Sequence, residues 1–211
     1  MKKWIYFSMF AGLAALTAGC GQGPFSNSNS SNVVDLGSMG VNVVSNPHSL
    51  LSGEQVLRGM LSVTGTAITE RNQIRTEYNT RSSLFASSYD LQAVTSPMMI
   101  AVTNLASEVC RATVDRERIL PSEQRKFFRG VDFSRGPASI TEDVYMSNLR
   151  TMAMSFWGRD LNDSEIRALA DGRTEFQAGI PNGQASSNVQ TQSLLLFSCT
   201  AMLGTFDALT M

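Results

Sequence analysis

Histidine is nearly missing from this chain: His48 is the only one in 211 residues. That excludes most familiar devices built on imidazole. No Ser–His–Asp or Cys–His arrangement can be assembled around His48, which sits beside Pro47 in a polar stretch and reads as a solvated loop residue. No H-E-x-x-H metal motif, no C-x-x-C-H haem-attachment motif, no P-loop and no G-x-G-x-x-G fingerprint occurs. Lysine is scarce too. After Lys2 and Lys3, Lys126 is the only one, against fourteen arginines. Charged residues make up 17% of the chain and the formal net charge is −1, so no broad basic surface invites nucleic acid. Sustained strand alternation is also absent, which argues against a sheet.

What is present begins at the first residue. Lys2 and Lys3 precede an almost wholly apolar run over residues 4–16, followed by the small residues Thr17, Ala18 and Gly19 and then Cys20. The apolar run is too short for a comfortable membrane span and has the anatomy of a secretory signal. Cleavage before Cys20 removes two of the 17 basic residues and none of the 18 acidic ones, leaving a net charge of −3. Residues 21–48 are rich in Gly, Ser, Asn and Pro, with no helical period. They read as a flexible tether with an r.m.s. span of ~30 Å.

The segment Leu16-Thr17-Ala18-Gly19-Cys20 resembles the lipobox of bacterial lipoproteins, departing from it in having Thr17 where leucine is usual. The resemblance implies cleavage before Cys20, acylation of that cysteine on its sulfur and its new amine, and a stable anchor, because several acyl chains hold where one is marginal. Gly21, not Asp, follows Cys20. By the sorting pattern of such lipoproteins this points to the outer membrane.

Residues 49–211 read as an all-α bundle of about five main helices. Ser52 and Gln55 form a capping box with Leu51 as staple, and Gly65 ends that helix. Residues 66–94 are polar, and fit either a surface helix or a long loop that could carry a binding surface. Ser96 and Pro97 open the next helix, which runs to about Arg118 with Met98, Val102, Leu105 and Val109 on its seam. Asp115, Arg116, Glu117 and Arg118 read as its solvated end. A short helical turn follows at 122–128, with Phe127, Phe128 and Phe133 as core plugs. Ser139 or Thr141 starts a third helix that Gly158 stops. Asn162 with Glu165 caps a fourth, expected to pack antiparallel to the third, and residues 188–209 form the most apolar helix, seamed by Leu195, Cys199, Met202, Phe206 and Leu209.

Two cysteines follow Cys20. Cys199 lies on the seam of the last helix, and Cys110 lies beside the seam of its own helix, four residues after small Ala106. An exported compartment permits disulfides, so a Cys110–Cys199 bridge is expected. Of the eleven methionines, Met98, Met99, Met146, Met152, Met154 and Met202 fall at core-like helical spacing and are expected to pack, not to bind metal. Asp160, Asn162, Asp163 and Glu165 lack the alternation and central glycine of a calcium loop and read as a helix cap.

The stretch Trp157-Gly158-Arg159 with Ser164-Glu165-Ile166, followed by the apolar residues 194–209, resembles the C-terminal helical domains of large planctomycete-type secreted proteins, often joined to cytochrome c modules. Their late Ser-Pro is absent here, and the resemblance implies no more than an all-α accessory domain. Taken together, the expected organisation is a signal at 1–19, lipidated Cys20 and a tether to residue 48, and a helical domain at 49–211. The expected role is that of an outer-membrane lipoprotein acting as a structural, assembly or interaction subunit, with an envelope protein as partner. No cofactor, metal or catalytic residue is assigned. The alternatives are a periplasmic ligand-binding or hydrolytic module using Glu108, Asp115 or Asp143 with arginines in an inter-helical cleft, or an accessory to electron transfer.

Overall fold

The computed structural model describes residues 52–85, 95–181 and 183–205. The expected signal at 1–19, Cys20, the tether with His48, Leu51, Phe206 and Leu209 lie outside the described residues. The fold is all-α, with six α-helices and no strand among the described residues.

The first helix, α1 (Gly53–Thr64), opens as its sequence dictates. The Ser52 hydroxyl accepts from Gln55 N–H, and Gln55 Oε1 accepts from Ser52 N–H at 2.8 Å. Gly65 then takes the left-handed conformation at φ 67°, which glycine adopts without a Cβ clash. Of the polar stretch 66–94, residues 86–94 lie outside the described residues, and the described part, 66–85, is mainly helical. A 3-10 turn (Ile68–Glu70) leads into α2 (Asn72–Arg81), and a second 3-10 turn (Ser82–Leu84) follows.

The long helix α3 (Ser96–Glu117) is the centre of the molecule; α1, α2 and α6 all pack on it. Its cap is Thr95 and not Ser96: the Thr95 hydroxyl accepts from Met98 N–H, which places Ser96 and Pro97 inside the first turn. The expected helical turn at 122–128 is confined to a 3-10 turn, Ser122–Gln124, after which Arg125 is extended. Further on, a 3-10 turn (Pro137–Ser139) precedes α4 (Glu142–Phe156), which is capped by Thr141. Gly158, at φ 67°, turns the chain toward α5 (Asp163–Ala178).

The last described helix, α6 (Asn188–Leu203), ends earlier than its apolar run suggested, because Gly204 caps it. Its direction is antiparallel to α3. The Cys110–Cys199 disulfide joins them at a Cα–Cα distance of 5.8 Å, and further along Gly204 lies against Thr103. Ala101, Ala106 and Cys110 of α3 are all fully buried, and small side chains there let the two helices approach closely.

The α4–α5 pair is looser than the short link implies. Arg173 of α5 reaches back to Glu142 at the start of α4 (2.6 Å) and stacks over the Tyr145 ring, so the two run in opposite directions. Yet α5 buries no residue completely, and its Phe176 stacks on Phe197 of α6. The turn at Trp157-Gly158-Arg159 is thus a helix junction: Arg159 donates to both carboxylate oxygens of Glu165, while that carboxylate also accepts from Asn162 N–H. The Arg159 hydrogen bonds hold the Glu165 carboxyl below the usual carboxylate range.

Between α3 and α4 an irregular segment enters the core. Phe127 and Phe128 are fully buried and Phe133 nearly so, as their sequence positions suggested. Their backbone needs partners that no helix supplies. Glu117 provides them for the donors. It is only 1% exposed, and its carboxylate accepts from the N–H groups of Lys126 (3.2 Å), Phe127 (3.1 Å) and Phe128 (2.9 Å). Arg125 does the converse, donating to the carbonyls of Leu120, Phe128 and Val131 while its guanidinium stacks on Phe133. The Asn148 amide of α4, with its nitrogen facing the segment, donates to the carbonyls of Phe127 and Arg129. The expectation of a solvated helix end at 115–118 therefore fails for Glu117.

Candidate interaction surface

The end of α1 shows how the polar part of the surface is built. Helix C-termini leave carbonyls without partners and carry partial negative charge. Arg116 of α3 donates to the carbonyls of Thr64 (3.0 Å) and Gly65 (2.7 Å) and pairs with Glu70. Lys126 and Ser155 both donate to the carbonyl of Val63. Lys126, the one lysine among the described residues, is thus a capping group, also placed over the Phe127 ring. Burial lowers its ammonium pKa, with Glu117 opposing that shift and Arg116 adding to it.

Helix α2 is polar on nearly every side, and only Ile74 is buried within it. Its two ends are fastened to α3 instead. At one end Arg71 donates to Glu108 (2.6 Å) and lies near Asp115 (3.6 Å). At the other, Arg81 pairs with Glu77 and donates to the Asn104 amide oxygen. Both α1 and α2 therefore rest on α3 far more than on each other. The space left between them is an open groove of about 530 Å³. Leu57, Leu61, Ile68 and Tyr78 form its apolar floor, and Glu54, Arg58, Arg75 and Asn79 stand at its rim. Arg58 and Glu54 are paired at 2.5 Å, whereas Arg75 has no acidic partner among the described residues.

Of the three carboxylates proposed for a catalytic or ligand-binding cleft, two meet on one arginine and the third stands apart. Glu108 and Asp115 share Arg71, so their charges are met at the α2–α3 seam. Asp143 stands exposed in the first turn of α4, where a carboxylate suits the positive helix end. Among the described residues no group of three His, Cys, Asp or Glu side chains could hold a metal ion. The buried hydroxyl pair Tyr145–Ser198 (2.8 Å) is closed off from solvent, and Ser198 also donates to Leu194 O. Burial raises the Tyr145 phenol pKa, partly offset by the Ser198 bond and Arg173. Five of the six methionines expected in the core are at least partly covered, but Met154 is 56% exposed.

A second concavity lies between α5 and α6. It measures about 250 Å³ and is lined by Trp157, Leu169, Phe197, Ala201 and Met202. Its one charged wall residue, Glu165, is already committed to Arg159 and Asn162. The α1–α2 groove differs in offering, beside an apolar floor, an Arg75 charge with no acidic partner among the described residues. No helix of the described residues is long and apolar enough to cross a membrane.

Comparison with protein-family models, curated proteins and solved structures finds no match to this chain.

Proposed function

We propose that this chain is an outer-membrane-anchored lipoprotein whose helical domain serves as a structural, assembly or interaction subunit of the cell envelope. The observation that carries the reading is Leu16-Thr17-Ala18-Gly19-Cys20 at the end of a short apolar run. The polar stretch after Cys20 suits a spacer between lipid and domain. The buried Cys110–Cys199 disulfide suits an oxidising, exported compartment. Within the domain, the α1–α2 groove is the surface that best fits a partner. It lies partly on the polar segment singled out in the sequence, and its floor is apolar in a way that water does not favour.

Site-specific photo-crosslinking in intact cells tests the role. A photoreactive residue at Asn79, on the groove rim, is expected to give a discrete protein adduct. The same residue at Ser147, exposed on α4, is expected to give none. Equal adducts at both positions, or none at either, would count against an interaction role for the groove.

A further inference from the structure

Resting on that reading, we infer that the α1–α2 groove receives an acidic amphipathic helix of a partner protein. The shape argues for a helix. The start of α1 (Gly53) lies against Phe85, beyond the end of α2, and Arg116 joins Gly65 at the end of α1 to Glu70 just before α2, so the two helices run side by side on α3 with an apolar floor between them, where a third ridge of side chains can lie. Leu61, Ile68 and Tyr78 are only partly buried although they adjoin the fully buried Ile74 and Met60. A small molecule on such an open floor would keep much of its surface in water, whereas ligand sites bury most of theirs. A helix laid along the groove would cover the floor over its whole length.

Charge selects the kind of helix. The rim carries Arg58 and Arg75 against Glu54 alone, a local excess of one positive charge on a chain whose formal net charge is −1. Glu54 and Arg58 satisfy each other across one turn of α1. Arg75 is exposed on α2 and has no acidic partner among the described residues. Its guanidinium offers a planar fork for a carboxylate. The complementary surface therefore has leucine-like residues at helical spacing with glutamate or aspartate flanking them. A basic partner would meet Arg75 as a like charge.

The test uses the full chain purified from membranes in detergent and two synthetic 18-residue amphipathic helices. Both probes have the same leucine face, one flanked by glutamate and the other by lysine. Fluorescence anisotropy is expected to show saturable binding of the acidic probe, about three- to tenfold tighter than the basic one. Arg75→Glu, at an exposed position, is expected to reverse that order with no change in thermal unfolding. Leu61→Asp is expected to weaken both probes. Equal binding of the two probes, an order unchanged by Arg75→Glu, or Arg75-dependent binding to anionic vesicles with none to the acidic helix would overturn the inference. If the probes fail while the Asn79 adduct persists, the interaction role stands and the partner's chemistry is different.

Discussion

Replacing Cys110 and Cys199 together by alanine is expected to lower the stability of the domain by about 4–5 kcal/mol. The two residues are 89 positions apart, and closing a loop of that size removes about this much entropy from the unfolded chain. For a domain of this size the loss corresponds to a fall in Tm of roughly 10–15 °C. The location reinforces the effect. The bridge ties α6 to α3, the helix on which α1 and α2 also rest, and both cysteines are fully buried. Reduced wild-type protein should unfold close to the double variant, because both lack the same crosslink. Urea denaturation with and without reductant measures this. A difference below about 1 kcal/mol would mean that packing alone holds α6 in place.

Glu117→Ala is expected to cost about 3–5 kcal/mol, the range seen when one partner of a buried charged network is removed. The position is paradoxical until its neighbours are considered. A carboxylate in the last turn of α3 faces the negative end of that helix, which is unfavourable. Three backbone N–H groups of the Phe127–Phe128 segment offset this, and without Glu117 they have no acceptor. Glu117→Gln keeps the shape but turns one oxygen into a donor, so an intermediate loss of about 1–3 kcal/mol is expected. Chemical denaturation gives the magnitudes, and amide hydrogen exchange at Phe127 and Phe128 locates them. A Glu117→Ala variant within about 0.5 kcal/mol of wild type would show that water replaces the carboxylate.

The helices that came through from the sequence are those with local signals. The Ser52–Gln55 and Asn162–Glu165 capping boxes and the glycines at 65 and 158 lie where they were expected, and of the two starts offered for α4, Ser139 and Thr141, the cap is Thr141. The disulfide followed from Cys199 on the seam of its helix, Cys110 beside the seam of its own and small Ala106 four residues earlier. The polar helix α2 was ambiguous because its stability does not come from an apolar stripe. It comes from Ile74 and from arginines at its ends that reach Glu108 and Asn104, contacts 37 and 23 residues away along the chain.

The burial of Glu117 is hard to see in the sequence for a related reason. Four charged residues in a row look solvated, and three of them keep some exposure. The signal that singles out Glu117 is its register: Ala106, Cys110, Thr113 and Glu117 fall at +4, +3 and +4 on the buried face of α3. A carboxylate continuing a buried stripe must meet donors, and the core-plug phenylalanines of the following segment supply them from their backbone. The early end of α6 was hidden because the apolar spacing continues past Gly204, while the backbone ends the helix there.

The groove has a similar history. Its surroundings were legible as a polar segment of uncertain structure. Its floor was not, since Leu57 and Leu61 belong to α1, whereas Ile68 and Tyr78 come from the following segment. Only the shared seat of α1 and α2 on α3 brings the four together.

Mass spectrometry of the N-terminal peptide from membrane-extracted protein tests the proposed anchor at Cys20. The expected peptide begins at Cys20 and carries a diacylglyceryl group on sulfur and a third acyl chain on the amine, with Cys20→Ser abolishing both processing and membrane retention. A peptide that begins at Met1, or one that begins after residue 19 with an unmodified cysteine, would contradict it.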